Sequence, residues 1–385
     1  MIKKCLYTNC KVILLSFVYL SLSAPAFSQE IDTKALQAIM VDVETDEIIL
    51  EKNPDTPMPP ASMSKLMTIY MVFEKLKTGK ISLKDRFYVS EKAWRKGGSK
   101  MFVMVNTRVS VSDLLRGIIV QSGNDACIVI AEGLAGTEEN FAGEMTKKAK
   151  QIGLRNSVFK NATGWPAEDH YMTARDLAFL AKKLINDFPE YYPMFSEKIF
   201  VYSGIRQGNR NPLLYKKFGA DGLKTGHTEA SGYGLVSSTV RNGRRLVLVV
   251  NGLKSSRERA SEAIRLINWG FKSTKNYTLF KKGENVGFAD VWLGTQPSVP
   301  LVIDRNVTLT LNKFDRKHLK VKIVFNNPIP APIKTNSPIG KAVISIRGQT
   351  KLEIPLTAGK DIAKLGFFGR LHSAALYLIF GRISQ

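Results

Sequence analysis

The chain has 385 residues, 44% hydrophobic and 23% charged, which excludes a disordered or fibrous protein and leaves room for two domains of about 100 to 200 residues each. A formal charge of +23 suits an acidic polymer, anionic lipid or nucleic acid, or else a solvated surface with no partner. No RNA- or DNA-binding signature accompanies the charge, and the four histidines show no His-x-x-x-His or His-x-x-Glu-His spacing, which disfavours a nucleic-acid binder and a metallopeptidase.

Lys3, Lys4 and Lys11 precede the apolar run Val12 to Leu22, followed by Ala24-Pro25-Ala26 and Ala26-Phe27-Ser28. This is the layout of an export signal over residues 1–28, cleaved after Ala26 or Ser28, and the run is too short for the roughly 20 residues a membrane span needs. Its removal takes Cys5, Cys10 and three lysines, leaving a charge of about +20 (23 − 3) and Cys127 as the only thiol, so no internal disulfide is expected.

Ile39-Met40-Val41 and Ile48-Ile49-Leu50 flank an acidic turn and predict a hairpin. Pro59-Pro60-Ala61 leads into a predicted helix over 62–77 that is apolar nearly all round, from Leu66 and Met67 to Phe73 and Leu76, as in a buried helix. Ser62 stands at its N-terminus, where free N–H groups and the helix dipole stabilise a developing oxyanion; Lys65 follows one turn later, within reach. A lysine kept neutral by desolvation or a nearby cation can serve as base to such a serine. Equally, Ser62 could be an N-cap and Lys65 a snorkelling surface residue. The same spacing at Ser157 and Lys160 has glycine and asparagine around it and no buried helix after it, and reads as a loop or edge strand.

Helices are predicted over 111–131 and 173–186. Inside the first, Ser122-Gly123-Asn124 separates two apolar runs, and burying its polar side chains unpaired would cost about 1 to 3 kcal/mol each. The break reads as a site, with Ser122 able to relay a proton and Asn124 to hold a substrate amide, or as a helix interruption that satisfies its own hydrogen bonds. "YGLVSSTV" and "RRLVLVV", joined by Arg241-Asn242-Gly243, predict a hairpin, and a helix over 258–271 closes an α+β region with an antiparallel sheet. Lys-Thr-Gly occurs at 77–79, where helix termination explains it, and at 224–226. At the second place Gly226 would let a substrate backbone approach the strand, and Lys224 adds a cation.

Beyond about residue 275, alternating runs predict strands over 307–311, 319–325, 342–346 and 351–356, a small β domain without an ionisable cluster. In the last 20 residues Phe367, Phe368, Leu371, Ala374, Ala375, Leu378 and Ile379 recur at helical spacing among Arg370, His372 and Arg382. Such a helix lies in an anionic membrane interface; the alternative is a core helix docked on the β domain.

Ser62/Lys65, Ser122/Asn124 and Lys224/Thr225/Gly226 follow one another at intervals of 60 and 102 residues. In these motifs the chain resembles the penicillin-binding serine acyltransferases. Through "PASMSKLMT", "SGNDA", "YMTARDL", "DGLKTGHT" and "NWGF" it is most similar to the low-molecular-mass D-alanyl-D-alanine carboxypeptidases, over about residues 30 to 365. The resemblance implies an α+β fold: a five-stranded antiparallel sheet with helices over 29–272, a small β-sandwich-like domain over 273–365, and an amphipathic anchor over 366–385. It implies removal of the terminal D-alanine from peptidoglycan stem peptides, inhibition by β-lactams, no cofactor, and a place on the periplasmic face of the inner membrane. Carried over by position, Ser62 is the nucleophile, Lys65 its base and Ser122 the proton relay. Asn124 contacts a substrate amide, Lys224, Thr225 and Gly226 receive the substrate at its terminal carboxylate, and Arg259 lies nearby. The N–H groups of Ser62 and His227 form the oxyanion hole. Endopeptidase action on cross-links would use the same residues; a non-catalytic wall scaffold is the rival from another class. No Glu-x-x-Leu-Asn stretch is present, which disfavours a β-lactamase.

Overall fold

The computed structural model describes residues 31–380, so the expected export signal and residues 381–385 lie outside the described residues. From Thr33 onward the chain forms one compact unit holding two separate apolar cores.

The first core is built on a five-stranded antiparallel sheet in the order Ile48–Lys52, Gln37–Asp42, Arg244–Leu253, Gly232–Arg241, Ala220–Thr228. The expected hairpin closes at Asn242 and Gly243, at φ +50° and +79°, the left-handed pair that a tight right-twisting turn requires. The "RRLVLVV" run is continuous because its strand is covered on both faces. Val247 and Val249 belong to the core under the Lys65–Lys77 and Ala174–Asp187 helices, whereas Leu246 meets Gly270 of the Ser256–Ser273 helix on the other side. Ala220–Thr228 pairs on one side only and leaves an open edge.

Two predicted helices differ in form. The turn that holds Ser62 is a 3-10 segment, Ala61–Ser64, and the α-helix begins only at Lys65, so Ser62 is not its N-cap. The helix expected over 111–131 is three pieces: an α-helix Val111–Arg116, a π turn Gly117–Gln121, and a second α-helix Asn124–Ala135 that starts after left-handed Ser122. The polar Ser-Gly-Asn break ends one helix and starts another. The helix expected over 173–186 is Ala174–Asp187, capped by the Thr173 side chain on the Asp176 N–H.

The second core lies in a curled β domain. A six-stranded sheet, in the order Leu319–Phe325, Pro338–Ile346, Gln349–Ala358, Ser298–Ile303, Asn285–Trp292, Ile329–Pro330, shares its apolar side chains with the pair Thr274–Phe280 and Val307–Asn312. The turn between the first two strands of the chain ties it to the five-stranded sheet: Thr45 bonds Thr310 at 2.5 Å, Asn276 donates to Glu44 at 2.8 Å, and Lys351 pairs with Glu47 at 3.0 Å. The last helix, Phe367–Phe380, leaves Phe368 82% and Leu378 84% exposed instead of docking them on the domain. Among the described residues no helix is long and apolar enough to cross a membrane.

Candidate active site

Side chains three apart eclipse one another in a 3-10 turn. The Ala61–Ser64 turn therefore stacks Lys65 on Ser62, with Lys65 Nζ 2.9 Å from Ser62 Oγ. Ala61 is held at φ +47°, and Gly164, at φ +77°, crosses it so closely that a Cβ would run into the Ala61 carbonyl oxygen. Lys65 is fully buried and donates to Asn124 Oδ1 at 2.7 Å and to the Thr163 carbonyl oxygen. Asn124 Nδ2 donates to the Gly97 carbonyl at 2.9 Å, which fixes its oxygen toward Lys65. A neutral amine has two N–H groups and one lone pair. With both N–H groups given to carbonyl oxygens, the lone pair is left for the Ser62 hydroxyl.

Ser122, at φ +66°, projects its hydroxyl to Lys224 Nζ at 2.8 Å. This is a sparsely populated conformation for a serine, and such residues cluster at working sites. Asp125, the next residue but two, is buried and takes the N–H groups of Met101, Phe102 and Val103 at 2.9, 2.9 and 3.2 Å. It thereby pins the loop that presents the Gly97 carbonyl and Ser99.

Lys224 and Gly226 share one face of the edge strand. A Cβ on Gly226 would lie 3.0 Å from Met63 Cγ and 3.1 Å from the Pro60 carbonyl oxygen. Close packing of the Ser62 turn on the strand is thus one reason for the missing side chain. Thr225, Gly226 and exposed His227, whose ring stacks on Tyr233 at 3.9 Å, border a cavity of about 460 Å³ with Ser62, Ser122 and Arg259. Arg259 lies over the Tyr233 ring and donates to Ser256 Oγ at 3.2 Å, whereas Arg257 is exposed and does not line the cavity. Ser157, in the other Ser-x-x-Lys, is buried elsewhere and bonds Asp176 at 2.7 Å.

Sequence reasoning missed Arg210, which borders the same cavity and donates to Ser99 Oγ at 2.6 Å, and also Thr163 and Asp125. Arg210 comes from an irregular segment with no motif. Asp125 adjoins the Ser-Gly-Asn break and was within reach of the same burial argument. Among the described residues no carboxylate lines the cavity. Burial, more than the partly opposing charges around it, pushes Lys65 down to about 8. Burial, then the charges of Lys65 and Arg210, push Lys224 well below the ordinary lysine value.

A five-stranded antiparallel sheet with a Ser-Lys turn, a Ser-Asn break and a Lys-Thr-Gly edge strand around one cationic cleft defines a penicillin-recognising serine peptidase. The chain belongs to the D-alanyl-D-alanine carboxypeptidase family, whose model matches residues 23–255, and the C-terminal domain of penicillin-binding protein 5 matches residues 275–364. It is similar to D-alanyl-D-alanine carboxypeptidase DacC of Escherichia coli K12, 37% identical over 367 residues, 92% of each chain. Penicillin-binding protein 5 from Haemophilus influenzae superposes with a TM-score of 0.77 at 35% identity, covering 87% of this chain and 99% of that one. Penicillin-binding protein D2 from Listeria monocytogenes in its ampicillin-bound form superposes with a TM-score of 0.58 at 30% identity, covering 63% and 98%. The activity is that of a serine-type hydrolase on D-Ala-D-Ala of peptidoglycan.

Proposed function

We propose that Ser62 carries the acyl-enzyme. The observation behind this reading is the placement of Lys65, whose two carbonyl partners leave its lone pair facing the Ser62 hydroxyl. Lys65 takes the Ser62 proton as Oγ bonds to the carbonyl carbon of the penultimate D-alanine. The N–H groups of Ser62 and His227 receive the oxyanion. Ser122, held by Lys224, relays the proton from Lys65 to the departing D-alanine amine, giving up its own and taking the Lys65 proton in its place, so the C–N bond breaks to a neutral amine and an ester and Lys65 is again neutral. Water then hydrolyses the ester. Lys224, Thr225 and Arg259 bind the terminal carboxylate, Gly226 shapes the strand there, and Asn124 contacts a substrate amide. A β-lactam acylates the same hydroxyl.

An export signal over 1–28 delivers catalytic and β domains bounded at 29–272 and 273–365 to the periplasmic side. The helix Phe367–Phe380, within the expected anchor 366–385, lays its exposed Phe367, Phe368, Leu371, Leu378 and Ile379 in the anionic membrane surface. Incubation with a peptide ending in D-Ala-D-Ala and with a fluorescent penicillin tests the chemistry. Released D-alanine and an adduct mapped to Ser62, absent in Ser62→Ala, are expected; no release together with no adduct would sink it.

A further inference from the structure

The cationic excess is not spread evenly along the chain. Lys313, Arg316, Lys317, Lys320 and Lys322 stand beside a single acid, Asp315, and no other ten-residue stretch holds as many lysines and arginines. Lys313 shares a face of the short helix Lys313–Lys317 with Arg316 and Lys317, three and four residues on. Lys320 and Lys322 share a face of the strand Leu319–Phe325, which is an edge of the six-stranded sheet and pairs on one side only. All five are exposed. Asp315 is already taken by Arg347 at 2.7 Å, and Arg316 lies over the Tyr277 ring, 5.2 Å from its centroid. Among the described residues none of the five forms an ion pair, whereas in the same domain Lys334 pairs with Asp361 and Lys341 with Glu353. Like charges gathered without a counterion repel one another, so an anionic partner lowers the free energy of the patch.

The membrane is too far away to be that partner. Lys320 is level with Ser345 and Thr350 of the next two strands, and Lys322 with Val343 and Glu353. Along the strand Gln349–Ala358 these levels lie about 26 and 17 Å short of Ala358, at roughly 3.3 Å per residue. Ala358 is opposite Leu301, which is opposite Gly287, and the chain leaves the domain farther on in the same direction, where the Leu365 N–H bonds the Leu293 carbonyl at 2.9 Å. The helix Phe367–Phe380 starts from there. Headgroup charge is screened beyond about 8 Å at physiological ionic strength. The patch lies instead toward the end of the sheet where Lys351 meets Glu47.

We propose that this patch is a second, non-catalytic binding site for peptidoglycan, and that it takes the carboxylates carried by the stem peptides along one strand of the polymer. The choice of polymer over membrane rests on the reading of the last helix as the anchor. Each stem that ends in a free alanine carries a carboxylate, and the stems recur along the polymer. Several individually weak pairs then act together and hold the enzyme on its substrate between turnovers.

The test is co-sedimentation of the full chain, treated with benzylpenicillin to block the cleft, with purified peptidoglycan sacculi, with sacculi whose carboxylates have been amidated, and with vesicles of anionic phospholipid. Sacculi should retain the parent protein, and amidation or about 0.5 M NaCl should release it. Lys313→Gln, Arg316→Gln, Lys317→Gln, Lys320→Gln and Lys322→Gln together should weaken retention about tenfold or more and slow D-alanine release from intact sacculi. Vesicle binding and kcat/KM on a soluble peptide ending in D-Ala-D-Ala should stay unchanged, the latter showing that the variant is folded. Should that kcat/KM fall, Lys320→Gln with Lys322→Gln alone, on the exposed strand edge, should still lower retention about two- to fivefold. Equal retention of parent and variants, or equal retention of the parent on amidated sacculi, overturns the proposal. Variants that lose vesicle binding and keep sacculus binding assign the patch to the membrane and overturn it too. Failure of the parent to release D-alanine from the soluble peptide overturns the Ser62 reading instead, while sedimentation still decides the patch.

Discussion

Raising the pH from 7 to 9 should speed acylation of Ser62 by a β-lactam about tenfold. The amine acts as base only when neutral, and with Lys65 pushed down to about 8 the neutral share is about one tenth at pH 7 and about nine tenths at pH 9. At the ordinary value of 10.5 the share at pH 7 would be roughly 300-fold smaller than at about 8, so burial supplies most of the usable base. Below pH 7 the rate should fall about tenfold per pH unit as the ammonium form takes over. The charges of the two lysines oppose each other, and a β-lactam carboxylate beside Lys224 would favour the proton there over Lys65. The measurement is the single-turnover rate of adduct formation with a fluorescent penicillin, enzyme in excess, from pH 5 to pH 9. Lys65→Arg, which cannot deprotonate, should lose about 10²- to 10⁴-fold and show no such rise. A rate that is flat across the range in the wild-type protein refutes Lys65 as base.

Gly164→Ala puts a methyl group against the Ala61 carbonyl at a left-handed position; it should cost about 2 to 4 kcal/mol and, by shifting Ser62, slow acylation about 100-fold, with unchanged melting and acylation as the refuting result. Asp125→Ala strands the three loop N–H groups and that of Ala126, and should cost about 3 kcal/mol or more by denaturant unfolding while weakening the Asn124 support; a variant as stable as the parent would show that the loop holds itself. Deleting residues 366–385 should move the protein from the membrane to the soluble fraction with peptidase activity intact. A truncated protein that stays with membranes, or unfolds, counts against the anchor.

The sequence was most legible where chemistry and structure are local. Ser62 and Lys65 are three residues apart, the Ser122 break is visible as polarity inside apolar helix text, and the Arg241-Asn242-Gly243 turn announces its hairpin. The α+β fold with a following β domain was legible from the change of period near residue 275. The 3-10 form of the Ser62 turn was not, because nothing in Ala61–Ser64 disfavours an α-helix; what sets it is packing against Gly226 and Gly164. Arg210 and the Thr163 carbonyl were invisible for a related reason. A backbone oxygen 98 residues from Lys65 carries no side-chain signature, and Arg210 acquires a role only when its segment is folded onto the cleft. The strands Asn285–Trp292 and Ser298–Ile303 were missed because glycine, proline and polar residues break their alternation.

The cleft gathers Lys65, Lys224, Arg210 and Arg259 with no carboxylate among the described residues of its lining, an arrangement of mutually repelling charges. On the proposed reading that repulsion helps the chemistry. Two buried lysines share less positive charge than two exposed ones would, and which of them keeps the proton depends on what lies beside it. A substrate carboxylate placed among Lys224, Arg210 and Arg259 lowers the cost of a charged Lys224. Charged Lys224 in turn disfavours a charge on Lys65 and leaves its lone pair free for Ser62. Part of the energy of binding the remote carboxylate is then expressed at the reacting hydroxyl, where it lowers the barrier instead of merely tightening the complex.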